Sequence, residues 1–376
     1  MATPQQPLND DPMARAILLA RRAIGTASPN PPVGAVIVKE GHIVGEGNTQ
    51  PPGQAHAEIM ALAEAGEDAR GADMYVTLEP CAHQGRTPPC TTAIIAAGIR
   101  RVHIGALDPN PRTDGRGVAR LEQNNVSVVV REASFESLTL IEAFAKHVTT
   151  GTPFVIAKFA MSLDGKIATR SRDSKWISNA ASRKHAHALR AGVDAVMIGI
   201  GTALADDPQL TVRDVPQTGP QPIRVVIDSA GRLPTNAAML ALDGTTIVAT
   251  ASVDANRRGV LEGAGAEVID TDSGDQVDLD QLLLVLGERE ITSVLVEGGS
   301  HLLGSLFDGG IVDKVVAVIA PVIIGGNDAL GPVGGSGAHT IPDALRLTQV
   351  TYQEVDGDII VTGYPVERTP NWIMEK

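Results

Sequence analysis

The chain has 376 residues, 43% of them hydrophobic and only 3% aromatic, and a formal charge of −13. That length suits two domains of roughly 100–200 residues each. The acidic balance, with Lys and Arg scattered singly or in pairs, argues against a nucleic-acid binder driven by phosphate contacts.

Two cysteines cannot form a disulfide framework, and no apolar run of about 18 residues offers a membrane span. Met1 to Asp10 is polar and acidic rather than charged-then-apolar, so a cytoplasmic protein without a leader is expected. Asp11-Pro12 reads as an N-cap followed by proline at the first helical position. Met13, Ala16, Ile17, Ala20 and Ile24 then recur at helical spacing. Val33–Val38, Gly41 and Ile43-Val44 predict a β-hairpin. From His56 the pattern is helical to a Gly66 stop, and Asp73–Leu78 is a strand. Helix Thr91–Ala97, strand Val102–Leu107, helix Gly117–Gln123, strand Val126–Val130 and helix Ser134–Lys146 follow, the alternation of a layered α/β domain. Thr149 to Pro153 is the candidate linker, giving domains 1–149 and 150–376.

Between His56 and Cys90 the chain carries His56-Ala57-Glu58, Pro80-Cys81 and Cys90, the last opening a helix after Pro88-Pro89. One imidazole and two thiolates are three tetrahedral zinc ligands with a fourth corner free for water. At about 100° per residue His56 and Glu58 cannot share a lateral helix face, so they converge only beyond the helix N-terminus. A helix N-terminus also favours the thiolate of Cys90. Against this stand inert thiols or a chance disulfide with a solvated histidine, and a closed structural zinc completed by a carboxylate or a histidine such as His83. In a catalytic site an open-cornered zinc beside the free carboxylate of Glu58 splits water and shuttles its proton. His83, Arg86 and Thr87 are either donors for a sugar phosphate or solvated loop residues.

This pattern resembles the zinc-dependent nucleobase deaminases, with eight residues instead of two between the cysteines. The longer insert, Cys81 to Cys90, is similar to that of the branch acting on a pyrimidine intermediate of riboflavin biosynthesis. Asn30 in Pro29-Asn30-Pro31-Pro32-Val33-Gly34 matches that branch's pyrimidine pocket, where Pro32 is a small departure.

In the second half, Phe154–Phe159, Val193–Ile198, Ile223–Ile227, Thr246–Ala249, Ser293–Val296, Val315–Ile324 and Asp358–Thr362 read as strands, and Ala180–Ala191 and Val277–Glu288 as helices. Gly199 to Leu204 is a weak match to a Rossmann phosphate loop, lacking the third glycine. Val296-Glu297-Gly298-Gly299 before an apolar-periodic helix fits a phosphate cradle or a plain strand-to-helix turn equally well.

The segments Lys158 to Ala168, Ser174-Lys175-Trp176-Ile177-Ser178, Asp206 to Arg213 and Glu297-Gly298-Gly299 resemble the reductase domain of the bifunctional riboflavin enzymes, and the likeness runs from about Pro12 to Val366. The resemblance implies a cytidine-deaminase-like three-layer domain followed by a dihydrofolate-reductase-like domain, both α/β, with one zinc and NADPH. It assigns Ala160, Trp176, Thr202, Asp206 and Ser229 to the cofactor, with Gly299, Ser300, His301, Leu302, Leu303, Gly304 and Ser305 at its phosphates. Lys158, Ser174, Arg190, Leu210, Arg213 and Glu297 fall to the substrate, Lys158 and Asp206 doubling as candidates for proton handling as the ribose opens. A homo-oligomer assembled through the reductase domain is expected, with a pyrimidine ribosyl phosphate as substrate and neither nucleic acid nor membrane as partner. The alternatives are a tRNA-type deaminase, disfavoured by charge and scarce aromatics, and a binding module with a structural zinc, which predicts metal without turnover.

Overall fold

The computed structural model describes residues 11–366 apart from 86, 112, 131–134, 218 and 272–273, so Met1–Asp10 and Arg86 lie outside it. Its contacts divide into two compact units, Met1–Gly151 and Thr152–Lys376.

The first unit runs α1 (Pro12–Arg21), β1 (Gly34–Lys39), β2 (His42–Asn48), α2 (Ala57–Ala65), β3 (Asp73–Val76), α3 (Cys90–Ala97), β4 (Arg101–Ile104), α4 (Arg116–Gln123), β5 (Ser127–Val130), α5 (Phe135–Leu140) and α6 (Glu142–Thr150). Asp11 caps α1 through Met13 N–H, with Pro12 in the first turn, as the sequence predicts. Ile24 is exposed instead of buried because α1 has already ended at Arg21. The predicted helix Ser134–Lys146 is two helices parted at Ile141, and Ser134 lies outside the described residues. Helix α6 runs into the expected linker, where the hydroxyls of Thr149 and Thr150 donate back to the carbonyls of Ala145 and Lys146.

The five strands form one sheet in the order β2-β1-β3-β4-β5, antiparallel up to β3 and parallel after it. On one face Val36 packs with Met13, Ala16 and Ile17 of α1. On the other, Gly45 and Gly47, two residues apart on β2, bring the strand against the backbone of α2. A Cβ at Gly47 would stand 2.3 Å from the Ala57 carbonyl oxygen, and one at Gly45 2.2 Å from that of Ala61. This contact sets where α2 begins, and His56 is its N-cap. Gly47→Ala is therefore expected to cost about 1–3 kcal/mol by overpacking. It should also weaken zinc retention, because the start of α2 must move. Thermal unfolding of the variant, read beside its metal content, checks both effects.

The second unit runs β6 (Phe154–Ser162), α7 (Ala180–Ala191), β7 (Ala195–Gly199), α8 (Ile200–Asp206), β8 (Ile223–Ile227), β9 (Thr246–Thr250), α9 (Ala255–Gly263), β10 (Glu267–Asp270), α10 (Leu279–Glu288), β11 (Ser293–Val296), α11 (Ser300–Asp308), β12 (Lys314–Ala320), β13 (Leu347–Val355) and β14 (Asp358–Pro365). Its nine-stranded sheet has the order β10-β9-β8-β7-β11-β6-β12-β14-β13, parallel as far as β12 and closed by the antiparallel β14 and β13. Alternate residues feed two cores. Met197, Val225, Val294 and Val296 join Leu286 and Leu303 on one side, while Val196, Ile198, Val226 and Val248 join Leu233 and Leu261 on the other. Burial on both faces explains why these strands read as unbroken apolar runs.

The expected strand Val315–Ile324 stops at Ala320. Pro321 has no N–H to continue the ladder, and the Asp164 carboxylate takes the N–H groups of Ile324 and Gly325 instead. Those bonds, with one from the Ser162 hydroxyl as the strongest influence, hold the Asp164 carboxyl down to about 2. The weakly patterned α9, with Leu261 as its buried residue, and the largely exposed β13 were not legible as elements.

Candidate functional site

His56 has extended backbone at the N-cap of α2, Glu58 sits in that helix's first turn, and Cys90 is the first residue of α3. The two helix N-termini meet. Cys90 Sγ lies 3.3 Å and Cys81 Sγ 3.8 Å from the same nitrogen, Nδ1 of His56. The three donor atoms fall within 4.8 Å of one another, so one ion can touch all of them. Among the described residues His83 is not part of this cluster and is exposed, which leaves the fourth corner open.

The thiols behave as a donor pair. Cys90 and His56 stabilise the Cys81 thiolate and lower its pKa, while the bond to Cys81 and then burial push the Cys90 thiol up. Donating to the Cys81 thiolate in turn raises the His56 pKa. Glu58 is buried, and among the protein groups alone burial pushes its carboxyl up to about 7, with Cys81 adding and His56 opposing. A soft, partly charged N/S/S donor set beside a buried carboxyl fits zinc.

Sequence reading missed Glu79, next to Pro80-Cys81. Its buried carboxylate accepts backbone N–H groups from Asp108, Gly115, Gly117 and Val118, which pins the start of the cysteine insert to the loop before α4. Nothing in the local sequence marks a partner so far along the chain. The Asn30 loop is tied in through Thr49, whose hydroxyl donates to the Pro31 carbonyl and accepts from Val33 N–H.

In the second unit a cavity of about 550 Å³ is lined by Lys158, Ala160, Ser174, Trp176, Arg190, Arg213 and Glu297 among the predicted residues. Arg190 and Glu297 make a forked ion pair, Nε–Oε1 2.5 Å and Nη2–Oε2 2.9 Å, and Arg190 also donates to the Thr211 carbonyl. Burial pushes the Glu297 carboxyl up, but Arg190 and then Lys158 outweigh it, so its pKa is lowered. Burial lowers the Lys158 ammonium, with Glu297 opposing. The fork of Arg190 thus faces Glu297, and the exposed Arg213 donates to the Thr211 hydroxyl.

Arg183, Lys184 and His187 also line the cavity and were not anticipated, although Arg183 and His187 stand at helical spacing from Arg190. Arg183 lies over the Trp176 ring at 4.7 Å and donates to the Ser178 carbonyl. Five cations (Lys158, Arg183, Lys184, Arg190, Arg213) against two acids (Asp214, Glu297) make an anion-seeking wall in a chain of net charge −13.

The other predicted cofactor residues gather at the carboxyl ends of β6, β7, β8 and β11, the ligand edge of a parallel sheet. Gly298 and Gly299 have φ of 112° and 89°, and a Cβ at Gly299 would lie 3.3 Å from Thr202 Oγ1. That is a backbone cradle at the N-terminus of α11, and it fits a phosphate. Leu302 and Leu303 are core side chains, Gly304 packs on Gly334, and the Ser305 hydroxyl donates to His301, so their backbone faces the matter here. Asp206 pairs with Lys175 at 3.6 Å, the Ser229 hydroxyl accepts from Val277 N–H, and Leu210 is buried with φ of 55°.

Comparison with known proteins agrees with both halves. Residues 8–106 match the cytidine and deoxycytidylate deaminase zinc-binding region, and residues 153–361 match the RibD C-terminal domain. The riboflavin biosynthesis protein RibD of Aquifex aeolicus is 40% identical over 349 residues, covering 93% of this chain and 96% of that protein. Acinetobacter baumannii RibD superposes with a TM-score of 0.85 at 36% identity, covering 94% of this chain and 98% of that one. A Thermotoga maritima diaminohydroxyphosphoribosylaminopyrimidine deaminase/5-amino-6-(5-phosphoribosylamino)uracil reductase gives 0.82 at 38% identity, covering 94% and 97%. With a zinc-binding deaminase unit, an NADPH-dependent reductase unit and relatives of this similarity along nearly its whole length, the chain belongs to the RibD family of bifunctional riboflavin-biosynthesis enzymes.

Proposed function

We propose that the first unit hydrolytically deaminates 2,5-diamino-6-ribosylamino-4(3H)-pyrimidinone 5′-phosphate and that the second reduces the ribosyl group of the product to a ribitylamino chain. The observation that carries the first step is the meeting of His56, Cys81 and Cys90 around one point with Glu58 buried beside it. Zinc held by these three side chains supplies Lewis-acid activation of a water molecule. Glu58 accepts the water proton, hands it to the ring nitrogen and later protonates the leaving amino group. Asn30 orients the pyrimidine. Water adds one oxygen to the ring carbon, and ammonia leaves.

For the second step, NADPH supplies the hydride to C1′. Trp176 offers a flat wall to the cofactor, and Thr202 with the Gly299–Ser305 backbone receives its phosphates. We assign Lys158 and Glu297, which line the cavity, as the proton donor and the fixed charge for the opening ribose, and its cationic wall as the seat of the sugar phosphate. We assign deamination to residues 1–149 and reduction to 150–376, in a cytoplasmic enzyme that assembles through its reductase units. No helix among the described residues is long and apolar enough to cross a membrane.

Zinc analysis tests the first site directly. The purified chain should carry one zinc equivalent, and Cys81→Ser should lose it together with ammonia release, while NADPH oxidation with the deaminated intermediate continues. Zinc retained at full stoichiometry in Cys81→Ser removes Cys81 from the ligand set.

A further inference from the structure

The insert between the two cysteines contains an interaction that the zinc ligands alone do not require. Thr87 Oγ1 stands 3.2 Å from Nε2 of His56, the ring nitrogen opposite the one facing both sulfurs. A neutral imidazole carries its proton on one nitrogen and a lone pair on the other. With Nδ1 as the nitrogen that faces the metal position between Cys81 and Cys90, its lone pair is committed to the ion and the proton belongs on Nε2. Thr87 must then accept. We propose that Thr87 is a positioning residue for the deaminase metal centre, receiving the Nε2–H of His56 and fixing the tautomer and ring plane that aim Nδ1 at the metal.

The loop is built to hold that hydroxyl in place. Its two ends are latched, since the Cys90 N–H donates to Cys81 Sγ at 3.3 Å, and both the N–H and the hydroxyl of Thr91 donate to the Cys81 carbonyl at 3.2 Å. Inside, the Gly85 N–H donates to the Thr87 carbonyl, and Arg120 Nη1 donates to the Ala82 carbonyl. Within the closed loop the Thr87 hydroxyl is directed at His56 rather than to solvent, so the insert supplies a ligand, Cys90, and the group that orients a second ligand, His56. His56 has no other side-chain contact on Nε2 among the described residues, and as the N-cap of α2 it makes no capping bond that would fix its ring. Two residues of a metal centre are thereby set by one loop. A hydroxyl that accepts from His56 keeps its own O–H to donate, so this role is compatible with the sugar-phosphate role that its loop position suggested.

The inference rests on the reading of His56, Cys81 and Cys90 as the zinc ligands, and the test separates the two. Zinc affinity is measured on the full chain by competition with a chromogenic chelator for wild type, Thr87→Val, Thr87→Ser and His56→Ala. Thr87→Val keeps the shape and β-branching and removes only the hydroxyl. It should weaken zinc binding about 10–100-fold, the range for lost outer-shell partners, while Thr87→Ser stays near wild type. Nitrogen-15 NMR of the zinc-loaded protein gives a readout that packing alone would not move. The His56 Nε2–H signal should be protected from solvent exchange in wild type and Thr87→Ser, and lost in Thr87→Val. Wild-type zinc affinity in Thr87→Val overturns the proposal, and so does Thr87→Ser falling as far as Thr87→Val, since keeping the hydroxyl would then preserve nothing. If His56→Ala retains zinc, the ligand assignment itself has failed.

Discussion

Glu58→Gln is expected to lower ammonia release by about 10²–10⁴-fold, the usual contribution of a positioned general acid–base, while zinc content and NADPH-dependent reduction stay at wild-type levels. The amide keeps the volume and most of the contacts of the buried carboxyl but cannot accept and return a proton. Its position in the first turn of α2 places it beyond the helix end with His56, so no other described carboxylate of that helix can substitute: Glu64 is bonded to the Glu46 backbone near the opposite end. The neutral amide also removes a charge that burial opposes. The variant should therefore be as stable as wild type or slightly more so, and lost activity cannot be ascribed to unfolding. A coupled ammonia assay beside zinc analysis and thermal unfolding checks all three. Deamination at a normal rate would remove Glu58 from the proton path.

Much of this site was legible because its signals are local. Asp11-Pro12, the Gly66 stop and the His-x-Glu spacing each depend on neighbours within a few residues, and each is found where the spacing puts it. The cysteine insert was legible as a motif but not as a geometry, since nothing in the order Gly85-Arg86-Thr87 says which way a hydroxyl will point. Glu79 and the Arg183–Trp176 contact were hidden for a related reason. Their meaning comes from partners brought close by the sheet order or by a loop, not by periodicity. Gly45 and Gly47 illustrate a third case. As letters they suggest a turn or a weak strand, whereas their use is to let α2 approach the sheet. In the second unit, the strands that are apolar on both sides were read well and the polar β13 was not, because its pairing with β14 replaces the burial that would have marked it.

Arg190→Met should have the larger effect on the second unit, lowering NADPH oxidation with the deaminated intermediate by about 100-fold, as expected when a reacting group is displaced by about 1 Å. The forked pair with Glu297 is nearly closed to solvent, with side-chain exposures of 12% and 8%. Removing one partner leaves a buried carboxylate uncompensated except by Lys158, a loss of about 3–5 kcal/mol when a buried pair is broken. The pH dependence gives this prediction its sign. In wild type the Glu297 pKa is depressed, so its stabilisation is fully present above the unfolded value near 4.3 and is lost as pH falls through the folded value. Without Arg190, burial becomes the dominant influence and the Glu297 pKa rises above its unfolded value. The variant is then penalised at neutral pH and relieved as Glu297 takes up a proton. The stability gap between the two proteins should narrow as pH is lowered from 7 towards 5, a window in which the wild-type pair does not titrate. Arg190→Lys keeps the charge but loses the fork, so it should recover part of the stability and less of the activity. Unfolding of the reductase unit across that pH range decides the matter, and a gap that stays constant would show that Glu297 is not held ionised by Arg190.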